Sequence, residues 1–580
     1  MSNLPRTEHP RPDFARECWM TLNGEWDFSI ANDRFDQKII VPFACECTLS
    51  GIGDTSFHPV VWYRRQFKIP SEMHGKHILL HFGAVDYSCN VWVNGALVKE
   101  HTGGQSSFEA DITHAIRRDE ENLLVVRVQD DPQNLEQPRG KQFWEEKSRS
   151  IFYTRTTGIW QSVWLEAVSP AHLVNVRITP LFDEKAVCFD YKLSENSGLA
   201  LETYISFQGT PVTTITVHPQ STAGSFTVNV DRPTADIWNF YEDLAWSPEH
   251  PRLFDVRFRV LCKGQCTDEV RSYFGMRKVA VENGHFLLNG RPYYQKLVLD
   301  QGYWPQSLLT APNDEAFVKD IQLVKEMGFN GVRMHQKVED PRFYYHADRM
   351  GLLVWGEIGA AYIYSPEYAK TFYQEWVDCV LRDYNHPCIV VWVPLNESWG
   401  VQEIWKDPMQ QAHSMAAYHI TKSLDRTRPV VDNDGWEHTC GDLLTIHDYE
   451  GNASVLLERY MEMERILKYR PGGKDLFAYG YGYVERPVIV SEYGGVRFAQ
   501  EGTDGWGYSS DNDPHNYVQH VASLTAALLR SPHVQGYCYT QLCDVESEQN
   551  GLLTYERKPK VDLKLIREAN DGNWAVNETD

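Results

Sequence analysis

The chain has 580 residues, with 56 Lys+Arg against 79 Asp+Glu and a formal net charge of −23. At about 100–200 residues per domain this length predicts roughly three to five domains, and so large an acidic surplus repels a phosphate backbone, which argues against a nucleic-acid partner. Apolar residues make up 42%, enough for packed cores and against disorder as the main state, while no run approaches the ~20 consecutive apolar residues of a membrane span.

The amino terminus, MSNLPRTEHPRPDF, has no apolar stretch of the signal-peptide kind. The twelve cysteines, scattered from Cys18 to Cys543, form no CxxC pair and no zinc-like spacing. Together these predict reduced thiols and a cytoplasmic protein. The 18 tryptophans suit either an aromatic-rich β core or platforms that stack on the C–H faces of sugar rings. Position has to decide between the two.

Up to about residue 170 short apolar and polar runs alternate between Gly and Asn turns, as in LNGEWDFSI (22–30), WYRRQFKIP (62–70) and ENLLVVRVQD (121–130). The VNG at 93–95 is a hairpin signal, because Asn-Gly supplies the positive φ of a type I′ turn. Many short strands without long helices predict a β-sandwich. Residues 171–275 form a second all-β stretch, with LVNVRITPLF, KAVCFDYKL, LETYISFQG and LFDVRFRVLC. Its length and strand spacing fit a seven-stranded immunoglobulin-like sandwich, and Cys262 and Cys266 stand too close in sequence to bridge its two sheets.

From 276 to 580 the period switches, and apolar β-rich runs alternate with helical patterns. The runs are YYQKLVL (293–299), FNGVR (329–333), LLVWG (352–356), CIVVWVPL (388–395), RPVVD (428–432), LLTIH (443–447), RPVIVS (486–491) and VQGYCYT (534–540). Their unbroken apolar character predicts burial on both faces. Between the first two runs, Phe317, Ile321, Val324 and Met327 fall on one helical face that Gly328 ends. Further on, Asp340 caps and Pro341 starts a helix that Gly351 closes. Eight strands with intervening helices fit a (β/α)8 TIM barrel. An open doubly wound sheet competes, but no glycine fingerprint follows the first strand.

Reactive groups of such a barrel sit just past the carboxyl ends of its strands. Those positions hold Asp300 and Gln301, Arg333 and His335, Glu357, Asn396 and Glu397, and then Asn433, Asp434 and Trp436. His447, Asp448 and Tyr449 follow, with Glu492 and Tyr493, and finally Gln541 and Asp544. A ring of acids, amides and aromatics, with no metal-type histidine cluster and no Ser-His pair, suits a polyhydroxylated ligand. Glu397 and Glu492 each emerge from an apolar strand into the mouth, where an idle carboxylate costs several kcal/mol unless partners satisfy it. Two carboxyls about 5–5.5 Å apart can run a double displacement on a glycoside, and an ionised nucleophile would raise its neighbour's pKa and keep it protonated. The plainer alternative places both acids in barrel ion pairs with groups such as Arg333.

With these residues in hand the chain resembles glycoside hydrolase family 2, which includes β-galactosidases, β-glucuronidases and β-mannosidases. LNGEWDF and FGAVDYSCNVWVNG are similar to the family's opening domain, YTRTTGIWQSVWLE (153–166) to its last strand region, and FGMRKVAVENGHFLLNGRPYY (274–294) to the entry into its barrel. The resemblance covers nearly the whole chain. It implies a jelly-roll sugar-binding-like domain (1–170), an immunoglobulin-like sandwich (171–275) and a catalytic barrel (276–580). PLNESWG resembles the acid/base motif, which gives Glu397 that role and Asn396 a contact to the sugar 2-hydroxyl. SEYGG resembles the nucleophile motif, which gives Glu492 the attack.

His335 sits near the family's strand-two histidine, and Tyr449 lies where relatives place a tyrosine beside the nucleophile. Trp399 and Trp506 are candidate stacking platforms, Trp506 having loop packing as its alternative. Asp300, Asn433, His447, Asp448 and Gln541 complete the expected sugar-binding ring. Glucuronidases of the family hold the sugar carboxylate with an Asn-x-Lys pair after strand eight. Here that stretch reads EQNGLLTYERKPK, with Leu552 at the lysine's place. This counts against glucuronides unless Lys337 or Arg497 substitutes.

The expectation is a retaining exo-glycosidase that needs no cofactor and no metal, with β-D-galactosides as first substrate. Family 2 furanosidase or arabinosidase activity and β-glucuronidase activity are the alternatives. A transglycosidase using the same residues and a carbohydrate-binding protein without catalysis stand further off. The resemblance also implies a homo-oligomer.

Overall fold

The computed structural model describes residues 4–231, 239–498 and 505–574. The amino-terminal region is a sandwich of a six-stranded and a four-stranded sheet, all of whose pairings are antiparallel. Along the strand Asn122–Gln129 buried and half-exposed residues alternate, as the two-residue period of a strand with one buried face requires. Leu124, Val126 and Val128 point into a core shared with Trp26, Ile78 and Leu165. The predicted hairpin turn joins Ser88–Val93 to Ala96–Thr102, with Asn94 at φ 51° and Gly95 at φ 85°.

The second region has seven strands in sheets of three and four. Phe189, Phe254, Phe258 and Phe274 fill the space between them. All twelve cysteines are free thiols.

The third region is the barrel. Seven parallel strands pair in the order fourth, third, second, first, eighth, seventh, sixth. They are Gln295–Asp300, Gly331–Met334, Leu353–Glu357 and Ile389–Val393, then Leu444–Asp448, Val488–Gly494 and Val534–Thr540. Nearly every residue in them is buried.

The fifth run departs from expectation, for 428–432 is not a regular strand. It closes the barrel through isolated parallel bridges, Trp392 to Val430 and Asn396 to Asp434. On its other side the His447 N–H approaches the Gly435 carbonyl at 3.4 Å. Pro429 has no N–H to give a ladder, and the DNDG turn at 432–435 bends away from strand geometry.

The helices follow their capping signals. Asn313 caps Asp314–Glu326 by accepting from the Ala316 N–H, and Asp340 caps Pro341–Met350, which Gly351 ends at φ 74°. Among the described residues no helix is long and apolar enough to cross a membrane.

The two sandwiches meet the barrel differently. From the first, the loop through 130–160 lies over the barrel mouth. Its Arg139 and Gly140 N–H groups both donate to the Ala360 carbonyl at 3.0 Å. Gly140, at φ +59°, lies so close that an added Cβ would stand 2.3 Å from the Gln336 carbonyl oxygen. The second sandwich instead docks on the barrel's flank, where Asn385 accepts from the Ile178 N–H at 2.8 Å and donates to the Val176 carbonyl at 3.0 Å.

Candidate active site

Glu397 follows the fourth strand and Glu492 lies within the seventh. One carboxylate oxygen of each, with one ring nitrogen of His447, all lie within 4.8 Å of one another. The Glu397 side chain is 15% exposed and that of Glu492 5%, so Glu397 is the member nearer solvent.

Glu397 and Ser398 both adopt left-handed backbone, at φ 53° and 59°, a conformation that costs non-glycine residues about 1–3 kcal/mol and persists only where surroundings enforce it. Here the Glu397 N–H donates to the Asp434 carbonyl at 2.9 Å, and the Ser398 N–H donates to Asn433 Oδ1 at 2.9 Å. The Ser398 hydroxyl donates to Glu437 Oε2 at 2.5 Å.

Arg333, fully buried, ties the site together. Its Nη1 reaches Glu492 Oε1 at 3.0 Å and Asp434 Oδ2 at 2.6 Å, its Nη2 donates to Asn396 Oδ1 at 2.6 Å and His335 Nδ1 at 2.9 Å, and its Nε donates to Glu357. Burial works against the guanidinium charge, but Asp434, Glu357 and Glu492 outweigh it and raise the pKa further. Burial and the adjacent Arg333 hold His335 well below the usual histidine pKa. The ring is therefore neutral, with Nδ1 accepting from Arg333 and Nε2 carrying the hydrogen.

His447 is the opposite case. Burial lowers its pKa, but Glu492, Asp434 and the hydrogen bond to Glu397 prevail and push it up to about 10. As an imidazolium it donates from Nδ1 to Glu397 at 2.8 Å and from Nε2 to Asp434 at 3.0 Å. Burial tends to raise the Asp434 pKa, yet Arg333 and His447 hold it well below the carboxylate range. For Glu397, burial is likewise outweighed, by His447 first and then Lys141 and Arg333, and the pKa falls below its ordinary value. This direction runs against the expectation that Glu492 keeps Glu397 protonated. Cations neighbour the acid, and their field exceeds that of one carboxylate.

The Glu397–His447–Glu492 trio has the spacing of a metal-ligand set. The Arg333 guanidinium already donates to Glu492 at 3.0 Å and brings positive charge of the protein's own to the trio.

Several other expected residues gather here. The Tyr449 hydroxyl donates to Glu492 Oε2, and its ring stacks on Tyr508. Among the described residues Asn396 Nδ2 and Gln541 Nε2 are buried without a partner, and Gln541 Oε1 accepts from Gln301 at 2.7 Å. Such buried orphan donors are costly unless a ligand meets them. Trp399 is half-buried, 5.1 Å from Tyr362 and 5.8 Å from Phe152 between ring centres. Trp506 stands edge-on to Tyr508 at 4.6 Å.

Others stand apart. Asn433 holds Ser398 and donates to the Trp436 carbonyl at 2.7 Å, which supports the acid's loop and leaves little for a sugar. Asp448 points outward to Arg459 and accepts from the Tyr469 hydroxyl at 3.0 Å. Asp300 accepts from the Gly302 N–H at 2.9 Å, and burial with nearby Asp320 pushes its pKa up to about 6.

Lys337 is not available to a substrate carboxylate, because it is buried and donates to two carbonyls and to Glu339 at 2.6–2.8 Å. Leu552 is core, with its N–H donating to the Gln541 carbonyl at 2.9 Å. The residues of that stretch that do approach the mouth are Glu548 and Asn550. Sequence reasoning missed them, and it missed Lys141, whose loop belongs to another domain.

The description "Glycosyl hydrolases family 2, TIM barrel domain" matches residues 279–572, "Glycosyl hydrolases family 2, sugar binding domain" matches 24–167, and "Glycosyl hydrolases family 2" matches 171–277. The chain belongs to glycoside hydrolase family 2. Among curated relatives, a β-galactosidase of Thermoanaerobacter pseudethanolicus is 28% identical over 383 residues, 64% of this chain and 48% of that protein. The chain thus spans about half the length of that relative. A β-glucuronidase of Canis lupus familiaris is 24% identical over 573 residues, 88% of this chain and 81% of that protein. The fold is shared with a crystal structure of a family 2 β-galacturonidase from Eisenbergiella tayi, with TM-score 0.76 and 19% identity over 99% of this chain and 100% of that one.

Proposed function

We propose that the protein is a retaining exo-acting glycosidase. The observation that carries this reading is the pair itself, with oxygens of Glu397 and Glu492 within 4.8 Å. Retaining enzymes keep their carboxyls about 5–5.5 Å apart and inverting ones about 6.5–9.5 Å. Glu492, oriented by Arg333 and Tyr449, attacks the anomeric carbon and forms a glycosyl ester. Glu397 gives a proton to the departing oxygen and later takes one from the incoming water.

The proton comes from the Glu397–His447 pair. The proton they share rests on His447, and moving it along the 2.8 Å hydrogen bond to Glu397 changes no net charge. The two groups titrate as a unit, and His447 is the positioning residue. His447→Gln should therefore move the alkaline limb of kcat/KM to lower pH.

β-D-Galactosides are the first substrate class, on the resemblance to family β-galactosidases and the name of the Thermoanaerobacter relative. A second reading, β-uronides, is favoured by one observation, the cation Lys141 at the mouth, together with the name of the canine relative. Kinetics on a panel of nitrophenyl pyranosides and furanosides, α-L-arabinosides included, tests both. One sugar should dominate, and no turnover of any would leave the carbohydrate-binding alternative. A cytoplasmic homo-oligomer, divided near residues 170 and 275, completes the proposal. Light scattering would test the assembly.

A further inference from the structure

Lys141 is 6% exposed, yet its ammonium makes no hydrogen bond or ion pair among the described residues. It stands 5.4 Å from the Trp399 ring centre and 5.9 Å from that of Tyr153. Its charge acts on Glu397, His335 and Glu548. An ammonium without a protein partner at a cavity mouth is free to take an oxygen of a ligand.

Glu548, 2% exposed, is its counterpart. One oxygen accepts from the Tyr153 hydroxyl and the other from Asn550 Nδ2 at 3.1 Å. It is farther from Lys141 than a direct ion pair allows. An oxygen that accepts from the ammonium and donates to the carboxylate would complete both groups. Beside them Asn550 Oδ1 and Gln541 Nε2 are buried without partners among the described residues, and the Gln541 N–H donates to the Asn550 carbonyl at 3.3 Å. One cation, one carboxylate, one free acceptor and one free donor thus converge next to the catalytic pair.

We propose that Lys141 and Glu548 form the specificity determinant of the terminal-sugar site: together they clamp a hydroxyl, and Glu548 is what keeps a sugar carboxylate away from Lys141. A hydroxyl serves both groups at once, since it is donor and acceptor. A uronate carboxylate satisfies the ammonium but meets Glu548 with like charge, in a site where screening by water is weak. Removing the Glu548 charge while keeping its shape should hand Lys141 to the carboxylate as a charge-assisted partner. This inference rests on the glycosidase reading and adds which substituent the site selects.

The test compares kcat/KM for 4-nitrophenyl β-D-galactopyranoside and 4-nitrophenyl β-D-galacturonide, which differ at one carbon. Four proteins are needed: the natural protein, Glu548→Gln, Lys141→Met and the double variant. Glu548→Gln should raise the uronide-to-galactoside ratio at least tenfold, and adding Lys141→Met should remove that gain. A ratio within twofold of the natural protein's, or a gain that survives loss of Lys141, overturns the proposal.

Binding of D-galactose and D-galacturonate, followed by tryptophan fluorescence, separates this from the catalytic reading. Should no protein turn over either substrate, the glycosidase reading fails, while the same tenfold shift in relative affinity still supports the clamp and its absence still overturns it. If Glu548→Gln does not fold, Lys141→Met alone decides, because D-galactose affinity should fall at least fivefold and an unchanged affinity refutes the pair.

Discussion

The two β-sandwiches are built alike, with strands that alternate inward and outward residues around aromatic cores, yet among the described residues only the first reaches the barrel mouth. The first sends the 130–160 loop across the barrel mouth, where Lys141, Phe152 and Tyr153 stand beside Trp399 and Glu548. The second packs on the flank through Asn385 and through the Thr179–Tyr384 hydroxyl pair at 2.9 Å. A sandwich fold therefore says little about a domain's part in a site. What matters is which of its loops extend to the strand ends of the barrel.

That contrast can be broken or sharpened by substitution. The largest effect belongs to the barrel itself. Glu492→Gln should lower kcat by about 10⁴-fold or more with an unchanged circular dichroism spectrum, and full activity on an aryl glycoside would remove the assignment. Tyr449→Phe takes one charge-assisted hydrogen bond from Glu492, and at about 1.5–3 kcal/mol for such a bond kcat should fall roughly 10–100-fold.

In the first sandwich, Gly140→Ala forces a Cβ against the Gln336 carbonyl and displaces the loop that carries Lys141. Steady-state kinetics should show kcat/KM down about tenfold, the cost of misplacing a substrate-facing loop. The matching change in the second sandwich, Asn385→Ala, deletes two hydrogen bonds to the backbone. Urea denaturation should show about 1–2 kcal/mol less stability, with kcat/KM within twofold. Equal effects of these two variants on kcat/KM would erase the distinction between the sandwiches.

The smallest expected change is in stability against pH. The folded-state pKa of His447, about 10, lies above its ordinary 6.5. Its stabilising contribution is complete below about pH 6.5 and is lost as pH rises through 10. Denaturation midpoints should decline across that window in the natural protein and decline less in His447→Gln.

Much of this was legible in the chain. Two-residue alternation marked the sandwiches, continuous apolar runs marked the barrel strands, and Gly328, Asp340 and Gly351 marked helix ends by local rules that depend on a few neighbouring residues. The fifth barrel position was harder, since RPVVD reads as a strand while Pro429 and the following turn allow only bridges. Within the site, Glu397, Glu492 and Tyr449 were named from their positions past strand ends. Asn433 and Asp448 occupy equivalent positions, yet their side chains bond protein groups instead, and sequence spacing does not say which way a polar group turns.

By itself the sequence determined the three-region architecture, the family and the two facing carboxylates, because periodicity, turn chemistry and short motifs are local properties that survive without knowledge of the fold. Only the tertiary structure decided the electrical state of the mouth. Arg333 and His447 come from separate strands, Asp434 from a turn and Lys141 from another domain, but the fold gathers their charges around Glu397 and Glu492. Coulomb interactions at that range, with little water between, override the ordinary pKa that a residue's identity alone would suggest.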